Sequence, residues 1–190
     1  MKRIFFILLF YIYTTELQAQ NNVTCLIKTE LGNITIELYP SKAPITVANF
    51  LKYVDAHLYD SSSFFRAVTL NNQPNNDIKI EVIQGGNVDS VKDFAPIPLE
   101  TTEQTGLLHT NGTISMARSK PATATSSFFI CINDQPSLDY GGKRNPDGQG
   151  FAAFGIVISG MDIVKKIQNL YPEQEQYFKP PVHILSIIRK

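Results

Sequence analysis

Two long polar side chains stand inside short apolar runs. They are Arg66 in Phe64-Phe65-Arg66-Ala67-Val68 and Gln84 in Val82-Ile83-Gln84-Gly85-Gly86. A guanidinium carries five N–H donors in a fixed plane, and a primary amide offers both donors and an acceptor. Set among Phe, Val and Ile, such groups either pair with each other or hold a polar ligand against an apolar wall. A solvated Arg66 on an edge strand satisfies the same pattern, and these ten residues alone do not separate the readings.

Other chemistries are poorly provided for. Serines are plentiful, but only His57, His109 and His183 are available as imidazole bases, and none lies in a nucleophile motif. A hydrolase therefore ranks last. Gly141-Gly142-Lys143 lacks the earlier glycine and the following Ser/Thr of a phosphate-binding loop. Cys25 and Cys131 have no metal-ligand spacing; in an oxidising compartment they pair, or they remain buried thiols. Neither metal nor cofactor is expected. Asn22, Asn33 and Asn111 each open an Asn-x-Ser/Thr triplet, read as chance.

The elements that must position Arg66 and Gln84 follow from periodicity. Residues 24–30 and 33–39 read as a hairpin turned at Leu31-Gly32, with Ile34, Ile36 and Leu38 on one face. Pro44 opens a helix over 44–57 whose Val47, Phe50, Leu51 and Val54 share a face, with His57 in its last turn. The strands of Arg66 and Gln84 flank an Asn-rich loop at 69–77, and Gly85-Gly86 marks a bulge or a close backbone approach. Residues 87–111 read as an irregular excursion that leaves His109 exposed. Short strands follow at 113–117, 127–132, 151–158 and 182–188, with a helix at 161–170 and a turn-rich loop at 139–150. His183 reads as a packed or edge residue of the last strand. This tally has no βαβ rhythm and predicts a mainly β, mostly antiparallel closed sheet with two covering helices.

Composition bounds the partners. Lys+Arg and Asp+Glu both number 17, and 43% of residues are hydrophobic, which describes one globular domain without the basic excess that nucleic acid demands. Residues 1–19 have the layout of a secretory signal peptide: Lys2 and Arg3, an apolar run from Ile4 to Tyr13, then a polar segment ending on Ala19. That run is shorter than the ~20 residues of a spanning helix. The expected product is residues 20–190, exported to a periplasm or beyond, monomeric and not inserted in a membrane.

Taken in order, the blocks at 64–68, 82–86, Gly112-Thr113-Ile114-Ser115-Met116-Ala117 and Ser126-Ser127-Phe128-Phe129-Ile130 resemble the cyclophilin-type peptidyl-prolyl cis-trans isomerases. Phe154-Gly155 and Gly160-Met161-Asp162-Ile163-Val164 extend the likeness, which covers nearly all of 24–190. The resemblance implies a closed eight-stranded antiparallel β-barrel capped by two α-helices, with a proline-peptide groove on its outer face. It implies Arg66 as catalytic donor with Gln84 beside it and Phe129 as the pocket floor. Val82, Met116, Leu138 and Phe151 take further pocket positions, and Ala117 and Arg118 fall where substrate pairs as an added strand.

The chain departs from the family pattern at Glu81, Ser127, Ser137 and Phe151, where the family carries Phe, Gln, Trp and His, and in Arg118-Ser119 within the substrate strand. These changes bear on substrate preference and cyclosporin binding, and are expected to lower activity more than abolish it. The rival expectation is a non-catalytic proline-peptide-binding or chaperone module on the same fold.

Overall fold

Ile34, Ile36 and Leu38 are fully buried while Thr35 and Glu37 are partly exposed, so the period-two pattern becomes a strand with one face inside. The computed structural model describes residues 21–86, 92–170 and 175–190; the signal-peptide reading of 1–19 lies outside them. Among the described residues the strands are β1 (Val23–Thr29), β2 (Gly32–Leu38), β3 (Ser63–Val68), β4 (Val82–Gly85), β5 (Thr113–Met116), β6 (Phe128–Cys131), β7 (Ala152–Ser159) and β8 (Tyr177–Arg189). They pair antiparallel in the order β1-β2-β7-β5-β6-β4-β3-β8 and close into a barrel. Closure abolishes edges. Arg66 therefore does not sit on an edge strand, because β3 is paired with β4 on one side and β8 on the other.

Two helices pack on the barrel. Helix α1 (Pro44–Asp55) has proline in its first turn and sets Val47, Phe50 and Val54 toward β7 and β8. It stops short of His57, which lies beyond the end with φ +56°, exposed, and 3.3 Å from Asp60. The expected place of His57 in the last turn is thus corrected. A single turn, α2 (Thr102–Thr105), lies in the excursion read as irregular; Thr101 and Gln104 form a capping box there, a local signal that apolar periodicity does not carry. Helix α3 (Met161–Gln168) buries Val164 and Ile167 and packs on β2, β3 and β4.

A group of aromatic rings sits within the mostly aliphatic interior. Phe128 meets the rings of Phe50, Tyr59 and Phe64 edge-on, with centroids 5.6, 5.7 and 5.9 Å away. Of the two readings of Gly85-Gly86, close approach holds at Gly86: φ is +77°, and a Cβ there would fall 2.6 Å from Phe128 Cδ1. Both cysteines are free and fully buried, Cys25 in the interior cluster and Cys131 in a smaller one on the outer face. Burial pushes the Cys25 thiol up to about 11 and Cys131 higher still. Neither is expected to react with an aromatic disulfide reagent at pH 8 in the native state, and both react once urea unfolds the chain. Fast native labelling of either would contradict this packing.

Candidate active site

A bulge decides where Arg66 points. Phe64 pairs with Gly85 and Arg66 with Gln84, so two residues of β3 answer one of β4 and Phe65 is the extra residue. Side-chain parity flips there: Phe64 and Ala67 face the interior, while Val68 joins the outer cluster. Arg66 is thereby brought beside Gln84 on the outside. The ladder continues the row, since Gln84 pairs with Phe129 and Phe129 with Ser115. Four neighbouring strands thus present Arg66, Gln84, Phe129 and Ser115 side by side. The same parity turns Met116 inward, because its partner is Phe128. Met116 is buried in the interior cluster and does not border the cavity, contrary to the expected pocket position.

The other expected site residues, Arg66, Gln84, Val82, Ala117, Arg118, Phe129, Leu138 and Phe151, border one outer-face cavity of about 220 Å³. Phe129, Val82, Leu138, Ala117 and Phe151 give it an apolar lining. Phe151 stands edge-on to Phe129 at 5.3 Å, so a large ring takes part in the lining where the family has His. Ile80 also lines it, whereas Glu81, at the family's Phe position, accepts from Asn133 at 2.8 Å. Arg66, Gln84, Arg118, Arg144 and Asn145 supply the polar part of the lining.

Arg66 is held on three sides. Its Nε and Nη2 donate to Gln176 Oε1 at 3.1 and 2.6 Å, its Nη1 donates to Gln84 Oε1 at 3.1 Å, and its plane lies 5.6 Å from the Tyr177 ring. Gln176 is itself fixed by donating to Asn72 O at 2.7 Å. One N–H on Nη1 and one on Nη2 remain for a ligand. Gln176 went unseen in the sequence because it sits in a polar stretch with no periodicity; β8 begins at Tyr177, earlier than its apolar pattern shows.

Beneath Phe129 lies a buried hydrogen-bond chain. His109 is 1% exposed, correcting its expected exposure. Nδ1 is 2.7 Å from Asp139 Oδ1, Nε2 is 2.9 Å from Ser115 Oγ, and the ring stacks on Phe129 at 5.9 Å. Ser, His and Asp are in the contact order of a nucleophilic triad, but Ser115 is 0% exposed and no substrate reaches it. The chain braces the floor instead, and His109 is not placed to serve as a hydrolytic base.

Arg118 fastens the loop at 139–150. It donates to Gly150 O at 2.8 and 2.6 Å and to both oxygens of Asp147 at 2.7 and 2.9 Å, with its plane 5.3 Å from the Phe151 ring. The Arg118 hydrogen bonds, then the Gln149 N–H, hold the Asp147 carboxyl down to about 2. Its folded pKa lies below the ordinary value, so its contribution to stability is complete above about pH 4 and fades as pH falls through about 2. A carboxyl-carbon NMR titration should place the Asp147 midpoint near 2. A midpoint near 4 would mean that the clamp is open in solution.

Comparison with known proteins identifies the family. The sequence matches the family described as "Cyclophilin type peptidyl-prolyl cis-trans isomerase/CLD" over residues 24–189. A peptidyl-prolyl cis-trans isomerase of Acinetobacter baylyi is 39% identical over 89% of this chain and 86% of its own. The chain belongs to the cyclophilin-type peptidyl-prolyl cis-trans isomerases. Peptidyl-prolyl cis-trans isomerase A of Dickeya dadantii is 34% identical over 94% of this chain and 91% of its own. A cyclophilin-type isomerase from Cryptosporidium parvum, 22% identical, shares the fold with a TM-score of 0.69 over 90% of this chain and 98% of that one. Another structure of that parasite protein was determined in the presence of the dipeptide Ala-Pro; it covers 87% of this chain and 97% of that one, with a TM-score of 0.67 at 21% identity. The chain is thus an enzyme, and this cyclophilin carries its barrel without any tryptophan.

Proposed function

We propose that this cyclophilin is an exported, monomeric isomerase that speeds X-Pro rotation in other proteins as they fold, with the cavity of Arg66 and Phe129 as its active site. The observation that carries the site is the pair of N–H groups left on an Arg66 guanidinium pinned by Gln176 and Gln84, beside an apolar cavity. Export is supported by the basic, apolar and small-residue order of residues 1–19.

Amide resonance sets a barrier of about 18–20 kcal/mol to rotation about the peptide bond. Twisting the bond returns the nitrogen lone pair to the prolyl nitrogen. A donor aimed there binds the twisted state more tightly than either planar one. In this reading Phe129, Val82 and Leu138 hold the proline ring, while Arg66 supplies the donor. The backbone beyond Ala117, whose own N–H goes to Ser127 O at 2.9 Å, pairs with the peptide. Lowering the barrier by about 6 kcal/mol accelerates exchange on the order of 10⁴-fold.

The experiment has two parts. The chain from Gln20 is added in catalytic amount to a protein whose slow refolding phase is X-Pro isomerisation; that phase should shorten in proportion to enzyme. The full chain, expressed in a host with a periplasm, should be recovered there beginning at Gln20. An unchanged slow phase removes the folding role, and full-length protein left in the cell interior removes export.

A further inference from the structure

The cavity has donors that a neutral prolyl peptide does not use. Arg144 and Asn145, from the loop at 139–150, border it together with Arg66 and Phe129. Arg144 Nη1 donates to Ile78 O at 2.6 Å, and among the described residues no carboxylate forms an ion pair with this guanidinium. Asp147 is engaged with Arg118, Asp139 with His109 and Glu81 with Asn133. Arg66 also rests only on neutral amide oxygens. Asn145 Nδ2 is buried and has no acceptor. Partial burial, and then the like charge of Arg66, push the Arg144 pKa below the usual guanidinium range, so the two cations repel across a partly dehydrated space.

Uncompensated charge of this kind favours a ligand that brings the opposite sign. We propose that this cyclophilin selects prolyl segments with a carboxylate side chain next to the proline, with Arg144 reading the carboxylate and Asn145 lending a second donor. Selectivity of this kind deepens the reading of the cavity as the proline site and rests on it.

The test uses the chain from Gln20 and two peptide series, Ala-X-Pro-Phe and Ala-Ala-Pro-X, with X as Glu, Ala or Lys. Isomerisation is read by NMR exchange and binding by calorimetry. In at least one series kcat/KM for Glu should exceed that for Lys by about five- to tenfold at low salt, with Ala between. Since the charges meet near solvent, added salt should shrink the ratio. Arg144→Gln should bring it below about twofold, and Arg144→Lys should keep part of it. Equal rates for the three residues in both series, or a preference that survives Arg144→Gln, would overturn the proposal. If Arg144→Gln does not fold, the salt dependence of the unsubstituted protein decides. Failure of every peptide to turn over would strike at the active-site reading instead, and calorimetry with the same peptides would still settle the charge preference.

Discussion

Arg66→Ala is expected to lower kcat/KM for an X-Pro peptide by about 10²–10³-fold, the usual consequence of removing one transition-state donor. The loss should fall mainly on kcat, because the proposed function gives the proline ring to the apolar cluster of Phe129, Val82 and Leu138 rather than to the guanidinium. Arg66 is only half-buried, so water can reach the oxygens left on Gln84 and Gln176. The barrel should therefore lose no more than about 1 kcal/mol. Arg66→Lys should recover little, because a point-charge ammonium cannot bridge Gln84 and Gln176 and still present two donors. A coupled peptide assay beside a urea titration measures both quantities. A fall confined to KM would make Arg66 a binding residue and remove its role at the twisted bond.

The second large effect is on stability. Phe128→Ala should cost about 3–5 kcal/mol, as truncation of a large buried ring usually does. Phe128 is fully buried, touches three rings edge-on, and lies against Gly86, where no other residue leaves it room. The cavity left behind cannot collapse easily, because closed hydrogen-bonded ladders surround it. Urea unfolding followed by far-UV circular dichroism would measure the loss; one below about 1.5 kcal/mol would show that the interior repacks.

The strand of Ile34, Ile36 and Leu38 was legible by alternation and the others as short apolar runs between turn residues, while α1 and α3 showed in Val47, Phe50 and Val54, and in Val164 and Ile167, at helical spacing. What escaped has physical causes. No periodic signal marks the bulge at Phe65, yet it sets the parity that puts Arg66 outside and Ala67 inside. Met116 was misplaced for a related reason, since its face follows from pairing with Phe128, which a single strand does not disclose. His109 looked exposed beside a Thr-Asn-Gly turn, and only long-range packing places Asp139 and Ser115 on its two nitrogens. Gln176, distant in sequence from Arg66, meets it only because β8 closes the barrel onto β3.

The most direct measurement follows an isotopically labelled chain from Gln20 by NMR as an Ala-Pro peptide is titrated in, with cis–trans exchange of the peptide recorded in the same samples. Shifts should centre on Gln84, Ala117, Phe129 and Phe151, and peptide exchange should quicken at substoichiometric protein. Acceleration with shifts centred instead on the larger cavity of about 340 Å³ beside Asn72 and Gln168 would contradict the account, as would peptide contacts at Phe129 without any acceleration.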